Sequence, residues 1–130
     1  MKENPTFRIF EAAYGGYALA AFNVFSAEQV QGVFTGACQA RAPILVAVTP
    51  AARRYLRPAL IEGLIRGATE AFPEVVFSVH LDHGTAEECR DAIDSGFYSS
   101  VMIDASHEEF ERNIEITREV VARARDKGVF

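Results

Sequence analysis

The sequence predicts an α/β fold, a parallel (βα)4 array that makes half of an eight-unit closed barrel. Three observations carry that prediction. Strand-length apolar runs alternate with helix-period segments four times over along the 130 residues. The runs are apolar at nearly every position, as in strands covered on both faces. Polar and ionisable residues gather at the C-terminal ends of the runs, the rim where barrels of this kind carry their chemistry.

Residues 1–17 are expected to form a leading helix and a Gly-rich turn, Tyr14-Gly15-Gly16-Tyr17, into the sheet. That helix is placed to plug the N-terminal end of a barrel. Strands are expected over 18–24, 44–48, 75–81 and 99–103, all rich in branched or aromatic residues. Between them run helical stripes at i, i+3, i+4 and i+7 spacing. The first is Val30, Val33, Phe34, Ala37 and Cys38, and the second is Leu60, Leu64, Ile65, Ala68 and Phe72. Cys89, Ala92 and Ile93 make a short third, and Phe110, Ile114, Thr117, Val121 and Ala124 a fourth.

The joints fit this register. Ser26–Gln29, Thr85–Glu88 and Ser106–Glu109 each match the capping box, in which a hydroxyl takes the N3 amide and a Glu or Gln reaches back. Thr49-Pro50 offers a cap followed by Pro at the first helical position. Pro58 is expected to separate a short helix at 51–56 from the main second helix. Gly96 and Gly128 suit left-handed helix exits, and Val129-Phe130 opens a fifth strand.

Strict alternation implies a parallel sheet with right-handed crossovers, either doubly wound or closed as a TIM (β/α)8 barrel. A doubly wound dinucleotide-binding sheet predicts GxGxxG after the first strand, where this chain has Asn23-Val-Phe-Ser-Ala-Glu. The barrel is therefore preferred, with residues 1–130 read as one unit, its N-terminal half.

Composition narrows the class of function. A formal net charge of −5 with scattered cations argues against a nucleic-acid arm or membrane-surface patch. No apolar stretch approaches the roughly 20 residues of a membrane span, and no signal peptide opens the chain. Cys38 and Cys89 lack metal-site spacing and are read as buried free thiols of a cytoplasmic protein.

The strand ends read Asn23 and Ser26, then Thr49, then His80-Leu81-Asp82-His83-Gly84, then Asp104, Ser106 and His107. Alternation puts His80 and Asp82 on one face of the third strand, with Leu81 and His83 on the other. His next to Asp beside a Gly turn is either a metal ligand with an acid–base neighbour or a hydrogen-bonded His near a helix start. Asp104 serves equally for capping or catalysis, Asn23 for loop backbone or a site, and His107 reads as solvated.

Five ordered blocks then carry a family resemblance: AAFNVFSAEQVQGV (20–33), APILVAVTP (42–50), VVFSVHLDHG (75–84), GFYSSVMIDASHEEFERNI (96–114) and TREVVARARDKGV (117–129). Over about residues 18–130 the chain resembles the N-terminal half of class II, zinc-dependent ketose-bisphosphate aldolases. The resemblance implies a lyase that reversibly cleaves a ketose 1,6-bisphosphate, fructose bisphosphate foremost, into dihydroxyacetone phosphate and glyceraldehyde 3-phosphate. It implies His83 as the first of three zinc histidines, Asp82 as the general acid/base and Asp104 as a carboxylate near an alternative metal position. Asn23 and Thr49 match positions that hold a substrate phosphate or the reacting triose.

In such chemistry zinc takes up the charge left beside the carbonyl, a carboxylate moves the hydroxyl proton, and no Schiff-base Lys is needed. One departure is Ala51-Ala52-Arg53, which lacks the Gly common after the Thr49 position. The other two zinc histidines, a Glu and the phosphate loops of the family fall outside this stretch. The full zinc site thus requires a missing C-terminal half or, alternatively, a homo-oligomer whose second copy closes the barrel. The competing function class is a non-catalytic (βα)4 assembly module, with another metal-dependent barrel enzyme third.

Overall fold

The computed structural model describes residues 3–130. Along the chain lie α1 (Pro5–Ala13), β1 (Ala20–Asn23), α2 (Ala27–Ala40), β2 (Ile44–Val48), α3 (Pro50–Leu56), α4 (Pro58–Ala71), β3 (Phe77–Gly84), α5 (Ala86–Ser95), β4 (Ser100–Ile103) and α6 (Phe110–Asp126). The four strands are parallel and pair in sequential order, β1-β2-β3-β4. Doubly wound sheets reverse direction at a switch point, giving orders such as 3-2-1-4-5-6, so an unreversed order is that of a barrel wall.

The caps explain most of the element boundaries. Ser26 Oγ accepts the Gln29 amide at 3.3 Å, while the Gln29 side chain accepts from Phe25 N at 2.8 Å rather than from the cap residue. Thr85 and Glu88 form the full reciprocal box. Thr49 Oγ1 accepts from Ala52 N at 3.2 Å at the head of α3. Arg57, at φ 62°, breaks the chain between α3 and α4 just before Pro58.

The third expected box is absent. α6 begins at Phe110 behind Glu109, which makes no side-chain cap, and Ser106 is engaged instead by Asp104. An acceptor two residues back competes for the serine locally, and the turn it makes delays the helix.

Two helical stripes are also phased differently from the sequence expectation. Leu60 and Phe110 are exposed, and the buried faces run through Ile61, Ile65 and Ala68 on α4 and Val120 and Ala124 on α6. The doublets Leu60-Ile61 and Val120-Val121 leave the phase open by one residue, and packing on the sheet selects the second member on α4 and the first on α6.

The sheet has two different faces. Val46, Val48, Val79 and Leu81 enter the core under the helices with Phe34, Ile61, Ile65, Cys89 and Ile93. Register places Asn23 beside Ala47, Ala47 beside His80, and His80 beside Ser100, so these share the opposite, barrel-interior face. β2 is buried at all five residues, as expected of a central strand. β1 is exposed at all four, because it is an edge strand with a neighbour on one side only.

α1 lies against the strands' N-terminal ends, as a plug would. Asn4 Nδ2 donates to Ser99 O at 2.7 Å and to Gly128 O at 2.9 Å. Phe7 and Phe10 stand over the Phe130 ring, with centroids 6.5 and 5.9 Å away. Phe130 itself donates its amide to Ser99 O at 2.9 Å and accepts from Val101 N at 3.0 Å, the slanted pattern of a fifth parallel strand joining β4.

Candidate active site

The β3 ladder runs on through Gly84, three residues past its expected end, and it does so through an irregularity between Leu81 and Gly84. His83 lies inside that irregularity at φ 58°, a left-handed backbone rare for a residue with a Cβ. Simple alternation, which put His83 with Leu81, therefore fails. Leu81 is fully buried in the core, whereas the His83 side chain is 57 % exposed at the rim with Asp82.

Gly84 explains how the irregularity packs. A Cβ there would sit 2.6 Å from Leu81 Cδ2 and 3.0 Å from Cys89 Sγ, both in side chains held in the core. The backbone dives between them because the residue has no side chain. Burial pushes the Cys89 thiol up to about 11, so it is an inert packing group.

At the rim, His83 Nδ1 is 2.9 Å from Asp104 Oδ2, and His83 Nε2 is 3.8 Å from Asp82 Oδ1. Asp104 also accepts from Ser106 at its other oxygen, from the hydroxyl at 2.6 Å and the amide at 3.1 Å. These bonds from Ser106, then from His83, hold the Asp104 carboxyl far below the usual carboxylate range. An ionised carboxylate only accepts, so His83 Nδ1 carries the proton and the neutral ring presents its lone pair at Nε2. Asn23 Nδ2 donates to Asp82 Oδ2 at 3.3 Å across the sheet from β1. Earlier on β3, the His80 ring is bonded to Ser100 Oγ at 2.8 Å, and burial lowers its pKa.

The Asp104 bond raises the His83 pKa, and the charge of Asp82 assists. A raised imidazole stabilises the fold fully below its unfolded pKa and loses that contribution as pH rises through its folded value. A depressed carboxylate contributes above its ordinary pKa and loses that as pH falls through the depressed value. The pair is therefore strongest between the two. In metal-free protein, an NMR titration of the His83 ring is expected to give a midpoint above 6.5, and Asp104→Asn is expected to move it down. A native midpoint at or below 6.5 would contradict the pairing.

Asn23, Asp82, His83 and Asp104 are thus brought together by direct contacts. Thr49 ends β2 and is half-buried, with its hydroxyl accepting only from its own helix. His107 is exposed in the turn before α6. Sequence inspection overlooked Ser100 and the acceptor of Ser106. The spacing Asp104-Ala-Ser106 is a signal for the latter, since Asp commonly accepts the amide two residues on.

The cluster offers one good corner of a metal site. His83 Nε2 is the nitrogen left bare in the neutral ring, but among the described residues no three His, Cys, Asp or Glu side chains are grouped to hold an ion. Asp104 has both oxygens engaged. None of the described helices is long and apolar enough to cross a membrane.

Comparison with known proteins gives a consistent result. The family model for fructose-bisphosphate aldolase class-II matches residues 4–130. A fructose-bisphosphate aldolase of Giardia intestinalis is 42% identical over 120 residues, covering 92% of this chain and 37% of that protein. One from Staphylococcus epidermidis is 39% identical over 127 residues, covering 93% and 43%. A structure assigned as a fructose-1,6-bisphosphate aldolase from Coccidioides immitis superimposes with a TM-score of 0.87 at 28% identity, covering 98% of this chain and 50% of that one. The YdjI aldolase of Escherichia coli K12 gives 0.81 at 28% identity, covering 95% and 48%. The chain spans half or less of the length of each.

Proposed function

The chain belongs to the class-II fructose-bisphosphate aldolase family, and from that premise we propose that it supplies the acid–base carboxylate and one metal-holding histidine of a site cleaving fructose 1,6-bisphosphate. The products are dihydroxyacetone phosphate and glyceraldehyde 3-phosphate. The convergence of Asp82, His83 and Asp104 at one rim supports this most directly.

His83 would hold zinc through Nε2, its proton kept on the opposite nitrogen by Asp104. Zinc, when bound, supplies a Lewis acid for the charge that develops on the ketose carbonyl oxygen. Asp82 takes the proton from the C4 hydroxyl as the C3–C4 bond breaks and returns it in condensation. It can do so because Asn23 fixes its other oxygen and His83 stays 3.8 Å away, leaving Asp82 free of the ring. Asn23 and Thr49 contact the triose or its phosphate. The Thr49 hydroxyl accepts in its cap, so its proton remains available to a ligand. Asp104 acts through His83, and direct metal contact would require it to release Ser106 or the ring.

A Schiff-base route would need a lysine at the rim, and the one lysine among the described residues, Lys127, caps the far end of α6. Two free thiols agree with a reducing, cytoplasmic setting.

The partner that completes the site is the C-terminal half of a full barrel. A second copy would have to pair its β1 along the β4 edge, where Phe130 already bonds. Activity is therefore assigned to the completed barrel, and the isolated chain is expected to bind zinc weakly and cleave nothing measurable. Joining the chain to the C-terminal half of the Staphylococcus epidermidis relative is expected to give zinc-dependent cleavage of fructose 1,6-bisphosphate. Tight one-to-one zinc binding by the chain alone, or a folded, zinc-loaded fusion without cleavage, would overturn the assignment.

A further inference from the structure

Ser106 takes no part in the chemistry above and does not cap α6, yet it is bonded twice to the carboxylate behind the metal-holding histidine. Its hydroxyl donates to Asp104 Oδ1 at 2.6 Å and its amide donates to the same oxygen at 3.1 Å. The other oxygen, Oδ2, accepts from His83 Nδ1 at 2.9 Å. One carboxylate thus spans a serine and an imidazole, with one oxygen for each.

We propose that Ser106 is a positioning residue, whose hydroxyl fixes the Asp104 carboxylate so that His83 presents a bare Nε2 at the rim. The physical need arises from the torsion involved. The terminal torsion of an Asp is broad and weakly held, so a carboxylate on a partly exposed loop turns unless both oxygens are engaged. Asp104 is in that position, just past β4 with its side chain 25% exposed. If the carboxylate turns, Oδ2 leaves Nδ1, water replaces it, and the ring proton is free to move to the nitrogen that must bind metal. The amide bond of Ser106 aims one oxygen, and the hydroxyl bond adds a second donor that resists rotation. His83 is an exposed side chain on an irregular backbone, and among the described residues Asp104 is the one side chain to which it is hydrogen-bonded. Its orientation therefore depends on Asp104, and that of Asp104 on Ser106.

The metal role of Nε2 rests on the aldolase assignment; the tautomer rests on the geometry alone, and the two can fail separately. Long-range proton–nitrogen NMR of the His83 ring, in metal-free chain at alkaline pH, is expected to show the proton on Nδ1. Ser106→Ala is expected to yield a mixture of tautomers with the amide spectrum elsewhere unchanged. Zinc titrated alone and followed on the same ring is expected to bind about 2- to 5-fold more weakly in that variant, in proportion to the share of rings whose proton has moved to Nε2. Ser106→Thr keeps the hydroxyl and is expected to restore both readouts.

A native tautomer and native zinc response in Ser106→Ala would overturn the proposal. So would a Ser106→Thr chain that behaves like the alanine variant, because the hydroxyl would then not be the agent. If zinc binding by the native chain is too weak to reach His83, the tautomer measurement alone decides the role of Ser106, and the aldolase assignment rests on the completed barrel.

Discussion

Asp82→Asn in the completed barrel is expected to lower kcat by about 10²- to 10⁴-fold, the usual contribution of a positioned acid–base group, while zinc binding stays as it was. The substitution is nearly isosteric. The Asn23 side chain can still donate to the oxygen of the new amide, so the geometry across the β1 and β3 ends is kept. What is removed is the ability to take a proton. The proposed separation of roles follows from distance: at 3.8 Å from His83 Nε2, the atom proposed to hold the metal, Asp82 is a neighbour without being bonded to the ring. Parallel measurement of zinc content and turnover checks the claim. A variant that loses zinc in proportion to activity would make Asp82 a ligand, and one that keeps full turnover would remove it from the chemistry.

Phe34→Ala is expected to cost about 3–5 kcal/mol, enough to unfold a marginally stable chain. Phe34 is fully buried, and its ring contacts Phe77 of β3 at 5.1 Å and Phe72, beyond the end of α4, at 6.1 Å between centroids. Truncation would open a cavity that joins α2, α4 and β3, and a closely packed interior relaxes only partly around such a hole. Urea denaturation followed by far-UV circular dichroism measures the loss. A cost under about 1 kcal/mol would mean that the site collapses, and that the three elements are held by other contacts.

How much was legible in the sequence depended on the kind of force involved. The four strands, their parallel sense and the helices between them follow from hydrophobic period, which reports burial directly. β2 shows this, with every residue from Ile44 to Val48 buried. Thr49 and Thr85 were readable as caps because a cap is a local bond between near neighbours. The orientation of His83 was not readable. Alternation is a property of regular strands, and the positive φ at His83 departs from it for reasons held in Leu81, Gly84 and Cys89, which meet only after packing. The phase of α4 and α6 escaped in the same way, since Leu60-Ile61 and Val120-Val121 are equally apolar to a periodicity count. Asp104 stood out as a lone carboxylate, but its pairing with His83 spans 21 residues and is set by the β3–β4 register.

The bonds made by Asn4 bear on the order in which the molecule assembles. Its two acceptors, Ser99 and Gly128, lie 95 and 124 residues downstream. α1 precedes every strand in the chain, and although it also packs on β3, its Asn4 bonds cannot form until the fourth unit has been laid down. Closing so long a loop is entropically costly and is repaid only once the sheet exists. The two bonds that Asn4 makes are thus expected to be among the last native contacts to form.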